Sequence, residues 1–150
     1  MSDVMIIRKY QHTVIDVLVD IWYKTSVKAH YFIREEYWKS QIKEMKENYI
    51  PMSETYVVTR DLKIIGFISM LDNYLAALFI DIEYQGNGAG KKLLTFIKER
   101  RNIIQLKVYK ENISAVQFYS RNGFVIKNEG TDHLTDQAEY LMEWKQSSNH

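Results

Sequence analysis

The chain of 150 residues is 46% hydrophobic and 13% aromatic, enough for one soluble domain that buries about two thirds of its unfolded surface. A net charge of +1 gives no global reason to expect nucleic acid or a membrane as partner, and the absence of cysteine excludes disulfides, thiolate metal sites and a cysteinyl acyl-enzyme. A single proline, Pro51, with no low-complexity tract or repeat, argues against an internal linker. The N-terminus has no apolar core of signal-peptide length, and no run approaches the roughly 20 apolar residues of a membrane span, so the expected location is the cytoplasm.

Met5 to Lys9 reads as a first strand. From about Thr13, which can cap the start, Val14, Ile15, Val17, Leu18, Ile21 and Trp22 recur at helical spacing, and Lys24-Thr25-Ser26 reads as a polar break. A second helix is expected from about Arg34 to Tyr49, with Tyr37, Trp38, Ile42 and Met45 three or four apart and Pro51 as its stop. Glu54 to Arg60 and Ile64 to Leu71 form a hairpin about Asp61-Leu62-Lys63, and Asp72-Asn73 turns the chain into a third adjoining strand, Tyr74 to Ile82. After a glycine-rich loop comes a helix to about Arg101 that buries Leu93, Leu94 and Ile97. Ile103 to Val108 is the fifth strand, a candidate to lie parallel to the fourth because a helix precedes it. A short helix, Asn112 to Asn122, closes at Gly123. Phe124 to Lys127 and Ala138 to Trp144 are the last strands, separated by a polar connection, Asn128 to Gln137, and the tail from Lys145 to His150 is expected to fray.

The loop Gln85-Gly86-Asn87-Gly88-Ala89-Gly90-Lys91 sits where a strand turns into a helix. Backbone N–H groups and a helix N-terminus there suit an anion. The nucleotide P-loop spacing fails, because Gln85 stands where its first glycine is required and Lys92 takes the hydroxyl position; the dinucleotide pattern G-x-G-x-x-G fails at Lys91. A glycine-rich turn before an ordinary helix remains open as an alternative. Residues 91–110 carry seven Lys/Arg against one acid, Glu99, so this window is +6 and the rest of the chain −5. A basic region beside the loop suits a small polyanion, although each lysine is as readily part of a solvated face.

The spacing that fits is Q/R-x-x-G-x-G/A, read at Gln85, Gly88 and Gly90, which resembles the acetyl-coenzyme A loop of the GCN5-related N-acetyltransferases. The segment Asn112 to Phe124 resembles the second signature of that superfamily, N-x-x-A-x-x-F-Y-x-x-x-G-F, at Asn112, Ala115, Phe118, Tyr119, Gly123 and Phe124. The element order β-α-α-β-β-β-α-β-α-β-β is similar to that fold over nearly the whole chain. The resemblance implies an α/β (α+β) domain spanning 1–150: a mixed, mostly antiparallel seven-stranded sheet flanked by about four helices, with splayed central strands. It also implies transfer of acetyl from acetyl-coenzyme A to a primary amine by direct attack. The aromatic-rich beginning, with Phe67-Ile-Ser-Met70 and Val108-Tyr109-Lys110, is similar to small bacterial acetyltransferases that modify protein lysines.

The chemistry defines the roles. A lysine of ordinary pKa is neutral only about once in 2,500 molecules at pH 7, so a proton acceptor is needed, and the leaving thiolate benefits from a donor. The resemblance puts Tyr119 beside the cofactor sulfur as that donor; packing at the core rim is the alternative. It gives the pyrophosphate to Gln85, Gly86, Asn87, Gly88, Ala89, Gly90 and Lys91. Asn87 stands where the family often has a basic residue. The pantetheine arm falls to the backbone of Leu78, Phe79 and Ile80, which by periodicity alone are core, and Phe118 belongs to the same cofactor set. Asn112 either hydrogen-bonds the cofactor or caps its helix. Tyr74, His30 and Phe32, with Trp22, Tyr31, Tyr37 and Trp38, are candidates to line the acceptor site or simply to pack. No acid lies between Tyr74 and Ile80, Asp81 and Glu83 fall at the phosphate end, and His30, Asp132, His133 and Glu139 remain as possible bases. His12, His30, His133 and His150 show no metal-ligand spacing. A non-catalytic acyl-coenzyme A sensor, a small-molecule amine acetyltransferase and a protein-interaction domain stay as alternatives, and the chain is expected to be a monomer or homodimer.

Overall fold

A computed structural model describes residues 4–147. Seven strands form one mixed sheet in the order β1-β2-β3-β4-β5-β7-β6: β1 Met5–Lys9, β2 Glu54–Arg60, β3 Lys63–Leu71, β4 Tyr74–Ile80, β5 Ile103–Tyr109, β6 Val125–Asp132 and β7 Gln137–Lys145. Four longer helices cover it: α1 Ile15–Ala29, α2 Glu35–Glu44, α4 Ala89–Lys98 and α5 Ile113–Arg121; α3, Ile50–Met52, is a single turn. Every ladder is antiparallel except β4 with β5. The expected architecture is therefore present, including the parallel central pair.

The strands alternate, so each face of the sheet receives its own apolar layer. Val58, Ile65, Ile68, Leu106 and Met142 pack under α4 and α5, whose buried residues include Leu93, Leu94, Ile97 and Tyr119. Val57, Ile64, Phe67 and Ala77 pack under α1 and α2 with Leu18, Ile21, Trp22 and Trp38. At about 1.5–3 kcal/mol per fully buried large apolar side chain, these two layers rather than helix propensity hold the elements in place.

Several boundaries differ from the sequence reading for definite reasons. Thr13 caps nothing: His12–Val14 is a short 3-10 turn leading into α1, and neither start has a side-chain cap bond. The polar break at Lys24-Thr25-Ser26 does not exist, because the Thr25 hydroxyl donates back to the carbonyls of Ile21 (2.6 Å) and Trp22 (3.2 Å), so α1 continues to Ala29. Pro51 lies within the last helical turn instead of stopping the helix. A π-helical stretch, Met45–Tyr49, precedes it, with Ile50 N–H donating to the Met45 carbonyl. The fourth strand ends at Ile80, since Asp81 caps a 3-10 turn, Ile82–Tyr84, by accepting from the Glu83 N–H (3.3 Å). Most of the expected polar connection, Asn128 to Gln137, is strand: β6 runs on to Asp132 as an exposed edge laddered to β7. Lys145 belongs to β7; the expectation for the tail extends to residues 148–150, outside the described residues.

Candidate active site between strands four and five

β4 and β5 touch only at their start. Tyr74 is opposite Gln105, and the Gln105 N–H donates to the Asn73 carbonyl at 2.9 Å; beyond that pair the strands part. A bulge adds to the divergence: Ser69 and Met70 of β3 face Ala77 and Leu75, leaving Ala76 of β4 over. Leu78, Phe79 and Ile80 are half-buried on the stretch of β4 that is laddered to β3 but not to β5. At Gly66, which pairs with Ile80, a Cβ would fall 2.7 Å from the Phe79 carbonyl, so the bare backbone of β3 lets the end of β4 lie close against it.

The glycine loop follows. The Gln85 side chain folds back to donate to the Ile80 carbonyl (2.9 Å), and its N–H points into the preceding turn toward Ile82 O. Gly86 and Gly88 have φ of +83° and +88°, a left-handed conformation that side chains resist, and no atom lies within 4 Å of either would-be Cβ. Gly88 immediately precedes α4, where the first intrahelical bond runs from Lys92 N–H to Gly88 O (3.0 Å), so the N–H groups of Ala89, Gly90 and Lys91 have no helical acceptor. Gly90 has a different task. A Cβ there would sit 3.3 Å from Phe118 Cζ, so this glycine lets α5 pack against the start of α4. Asn87, Lys91 and Lys92 are exposed. An open, donor-lined concavity with two lysines beside it fits a diphosphate.

The helix α5 packs Tyr119 into the apolar layer that also holds Leu75 of β4 and Leu106 and Val108 of β5, the two strands that part. Its phenol is 8% exposed, with ring edges on Phe118 (5.3 Å) and Phe124 (5.4 Å), and it makes no hydrogen bond to a described residue. Burial pushes its pKa well above 10, and the nearby Tyr74 phenol pushes the same way. Tyr74, reaching in from the other face, is raised too, by burial first and then by the charge of Glu139. Both hydroxyls therefore keep their protons at neutral pH. Asn112 uses its side chain twice: Oδ1 accepts from the Ala115 N–H (3.3 Å) as helix cap, and Nδ2 approaches His30 Nε2 at 3.1 Å.

On the α1/α2 face the gap adjoins a groove of about 270 Å³ lined by Trp22, Tyr37, Trp38, Met45, Tyr74 and Leu134, among others. His30 and Phe32, expected to line it, stand one layer behind. His30 stacks on Trp38 (5.0 Å) and meets Phe32 and Tyr109 edge-on (5.7 and 5.2 Å), while Tyr31 is 77% exposed. Burial lowers the His30 pKa from 6.5 to about 4; the Ser26 carbonyl opposes this weakly, without an aligned hydrogen bond to Nδ1. Met45, Tyr49, Leu71 and Leu134 also line the groove and were not anticipated. Met45 and Leu71 belonged to an expected helix face and strand, and apolar character was the only signal of Tyr49 and Leu134.

The acids nearby differ in environment. Burial raises the Asp132 carboxyl, but hydrogen bonds from Tyr109 Oη (2.5 Å), Leu134 N–H (3.0 Å) and Thr135 Oγ1 (3.2 Å) outweigh it and hold it below its ordinary value. Glu139 is raised, chiefly by burial. His133 is exposed. Among the described residues no cluster of His, Asp or Glu could hold a metal, and no helix is long and apolar enough to cross a membrane.

Comparison with known proteins agrees with this geometry. The peptidyl-lysine N-acetyltransferase YiaC of Escherichia coli (strain K12) is 28% identical over 139 residues, 92% of this chain and 95% of that protein. YjaB of Salmonella typhimurium, also named a peptidyl-lysine N-acetyltransferase, is 27% identical over 80% of this chain and 83% of its own. The PaiA N-acetyltransferase of Thermoplasma acidophilum, solved in complex with coenzyme A, superposes with a TM-score of 0.80 at 26% identity, covering 97% of this chain and 100% of that one. The solution structure of apo YjaB from Escherichia coli superposes at 0.84 with 24% identity, covering 94% and 97%. The model of the acetyltransferase (GNAT) domain matches residues 20–133, and the chain belongs to that acyltransferase family.

Proposed function

We propose that the chain moves an acetyl group from acetyl-coenzyme A to a primary amine, with a protein lysine as the acceptor, by direct attack within a ternary complex. The observation that carries this reading is the nearness of a buried phenol, Tyr119, and a half-buried one, Tyr74, where β4 and β5 part, with a phosphate-shaped loop following β4 and an aromatic groove beside Tyr74. Gly86 to Lys91 would hold the pyrophosphate, and the β4 backbone at Leu78–Ile80, laddered to β3 but not to β5, would pair with the pantetheine arm and polarise the thioester carbonyl. When bound, acetyl-coenzyme A supplies an activated acyl group. Tyr119, protonated throughout the neutral range, gives its proton to the leaving sulfur, while the groove and Tyr74 orient the amine. Phe118 positions α5 through its packing on Gly90, and Asn112 does so through its cap.

The names of the relatives support lysine as the acceptor, and the groove is of a size for side chains flanking one. We further infer a single catalytic domain in the cytoplasm, acting as monomer or homodimer without nucleic acid. A panel of lysine peptides, free N-termini, polyamines and aminoglycosides, each incubated with acetyl-coenzyme A and read by mass spectrometry, tests the reading. Acetyl-lysine peptide is the expected product. Coenzyme A binding without acetylation of any amine would mark a non-catalytic sensor instead.

A further inference from the structure

We propose that Glu139 is the proton acceptor for the attacking amine, an inference that rests on the acetyl-transfer reading above. The β5 residues Ile104, Leu106 and Val108 pack under α4 and α5, so Gln105, Lys107 and Tyr109 face the other side, where the acceptor groove lies. Their partners across the ladder, Glu143, Leu141 and Glu139, share that face. Tyr74 stands there too, with the charge of Glu139 acting on its phenol and the Lys107 backbone N–H beside its hydroxyl. Tyr119 senses Tyr74 from the opposite face. Donor and acceptor thus stand on opposite faces of the sheet, each near Tyr74, where β4 and β5 part.

The rival bases are occupied or misplaced. Asp132 accepts from Tyr109, Leu134 and Thr135. Glu143 Oε2 accepts from Gln105 Nε2 at 2.8 Å, and Lys145 Nζ lies 3.8 Å from its Oε1. His30 Nε2 is engaged by Asn112, and His133 is exposed. Glu139, with its side chain 17% exposed, receives no hydrogen bond from a described residue; its neighbour is the half-exposed Lys107, Nζ 3.9 Å away. Unlike Asp132 and Glu143, it has no hydrogen bond among the described residues that a substrate would have to displace. Burial raises its pKa, Asp132 adds to the rise, and Lys107 and His133 oppose it, so its basicity is shifted toward working pH.

The step balances. The substrate ammonium loses two protons: one passes to the Glu139 carboxylate and on to solvent, the other replaces the proton that Tyr119 gives to sulfur. The nitrogen–carbonyl bond forms, the carbon–sulfur bond breaks, and amide and thiol leave.

The test is acetylation of a mixed lysine-peptide pool by the wild-type chain and Glu139→Gln across pH, with coenzyme A affinity measured by calorimetry. The expected result is a fall in kcat/KM of about 10²-fold or more near neutrality, a deficit that shrinks as pH rises toward the lysine pKa, loss of the acidic limb, and unchanged coenzyme A affinity. Wild-type kcat/KM with an intact acidic limb in Glu139→Gln overturns the assignment. A parallel loss of coenzyme A affinity also counts against it, because removing a proton acceptor leaves the donor site whole. A wild-type chain that acetylates nothing overturns the transfer reading itself, a distinguishable failure.

Discussion

Acidification should loosen this protein through one histidine. His30 is buried between Trp38, Phe32 and Tyr109, and its Nε2 faces the Asn112 amide that caps α5. In the folded chain its pKa falls from 6.5 to about 4, chiefly through burial. The unfolded chain therefore binds an extra proton between those values, so this contribution to stability is fully present above pH 6.5 and is lost progressively toward pH 4. At about 1.4 kcal/mol per pKa unit, the full loss is about 3 kcal/mol, a large fraction of the stability of a small domain. Protonation would also place an N–H opposite the Asn112 amide donors and unsettle the cap of the helix that carries Tyr119. Urea denaturation of wild type and His30→Gln across that window isolates the effect from the carboxylates. The wild type should lose about 3 kcal/mol more than the variant, and parallel pH slopes for the two would refute the reasoning.

Other consequences follow from the same packing. Tyr119→Phe removes a hydroxyl without a hydrogen-bond partner among the described residues, so stability should change by no more than about 1 kcal/mol while turnover falls about 10²-fold at unchanged coenzyme A affinity, as denaturation, kinetics and calorimetry would report. Gly88→Val forces a β-branched residue to φ +88° at a strain of about 1–2 kcal/mol and fills the loop; coenzyme A affinity measured by calorimetry should drop at least about tenfold. Gly66→Ala drives a Cβ to 2.5 Å from Ile80 Cδ1 and 2.7 Å from the Phe79 carbonyl. A cost of about 1–3 kcal/mol in thermal or urea unfolding is expected, with the end of β4 displaced.

The regular parts of the chain were legible because local chemistry and tertiary packing agree. β-Branched and aromatic enrichment marks β2, the turn at Asp61-Leu62-Lys63 marks its hairpin with β3, Gly123 marks the end of α5, and the two signatures mark the family. The misreadings share a cause, which is that polar residues can be satisfied inside an element. Thr25 bonds back to its own helix, and β6, with hardly a buried side chain, exists through its ladder to β7. The site was less legible than the fold. Tyr119 stands on α5 and the glycine loop leads into α4, the elements expected for them, yet the distinct duty of Gly90 and the retreat of His30 behind Trp38 depend on contacts between elements distant in sequence. Glu139 differs from Asp132 and Glu143 only through side-chain contacts: those two carboxylates accept hydrogen bonds, while Glu139 has only the long Lys107 contact among the described residues.

Direct transfer at the gap is the central claim, and a single-turnover experiment tests it most directly. Wild-type protein in excess, preloaded with acetyl-coenzyme A and mixed with a lysine peptide, is quenched at intervals, with free thiol, acetylated peptide and intact protein mass followed together. The account predicts that thiol and acetyl-lysine appear at one rate and in equal amounts, with no acetylated protein at any time. Thiol released without acetylated peptide, or an acetyl-protein that forms first and then decays, would contradict it.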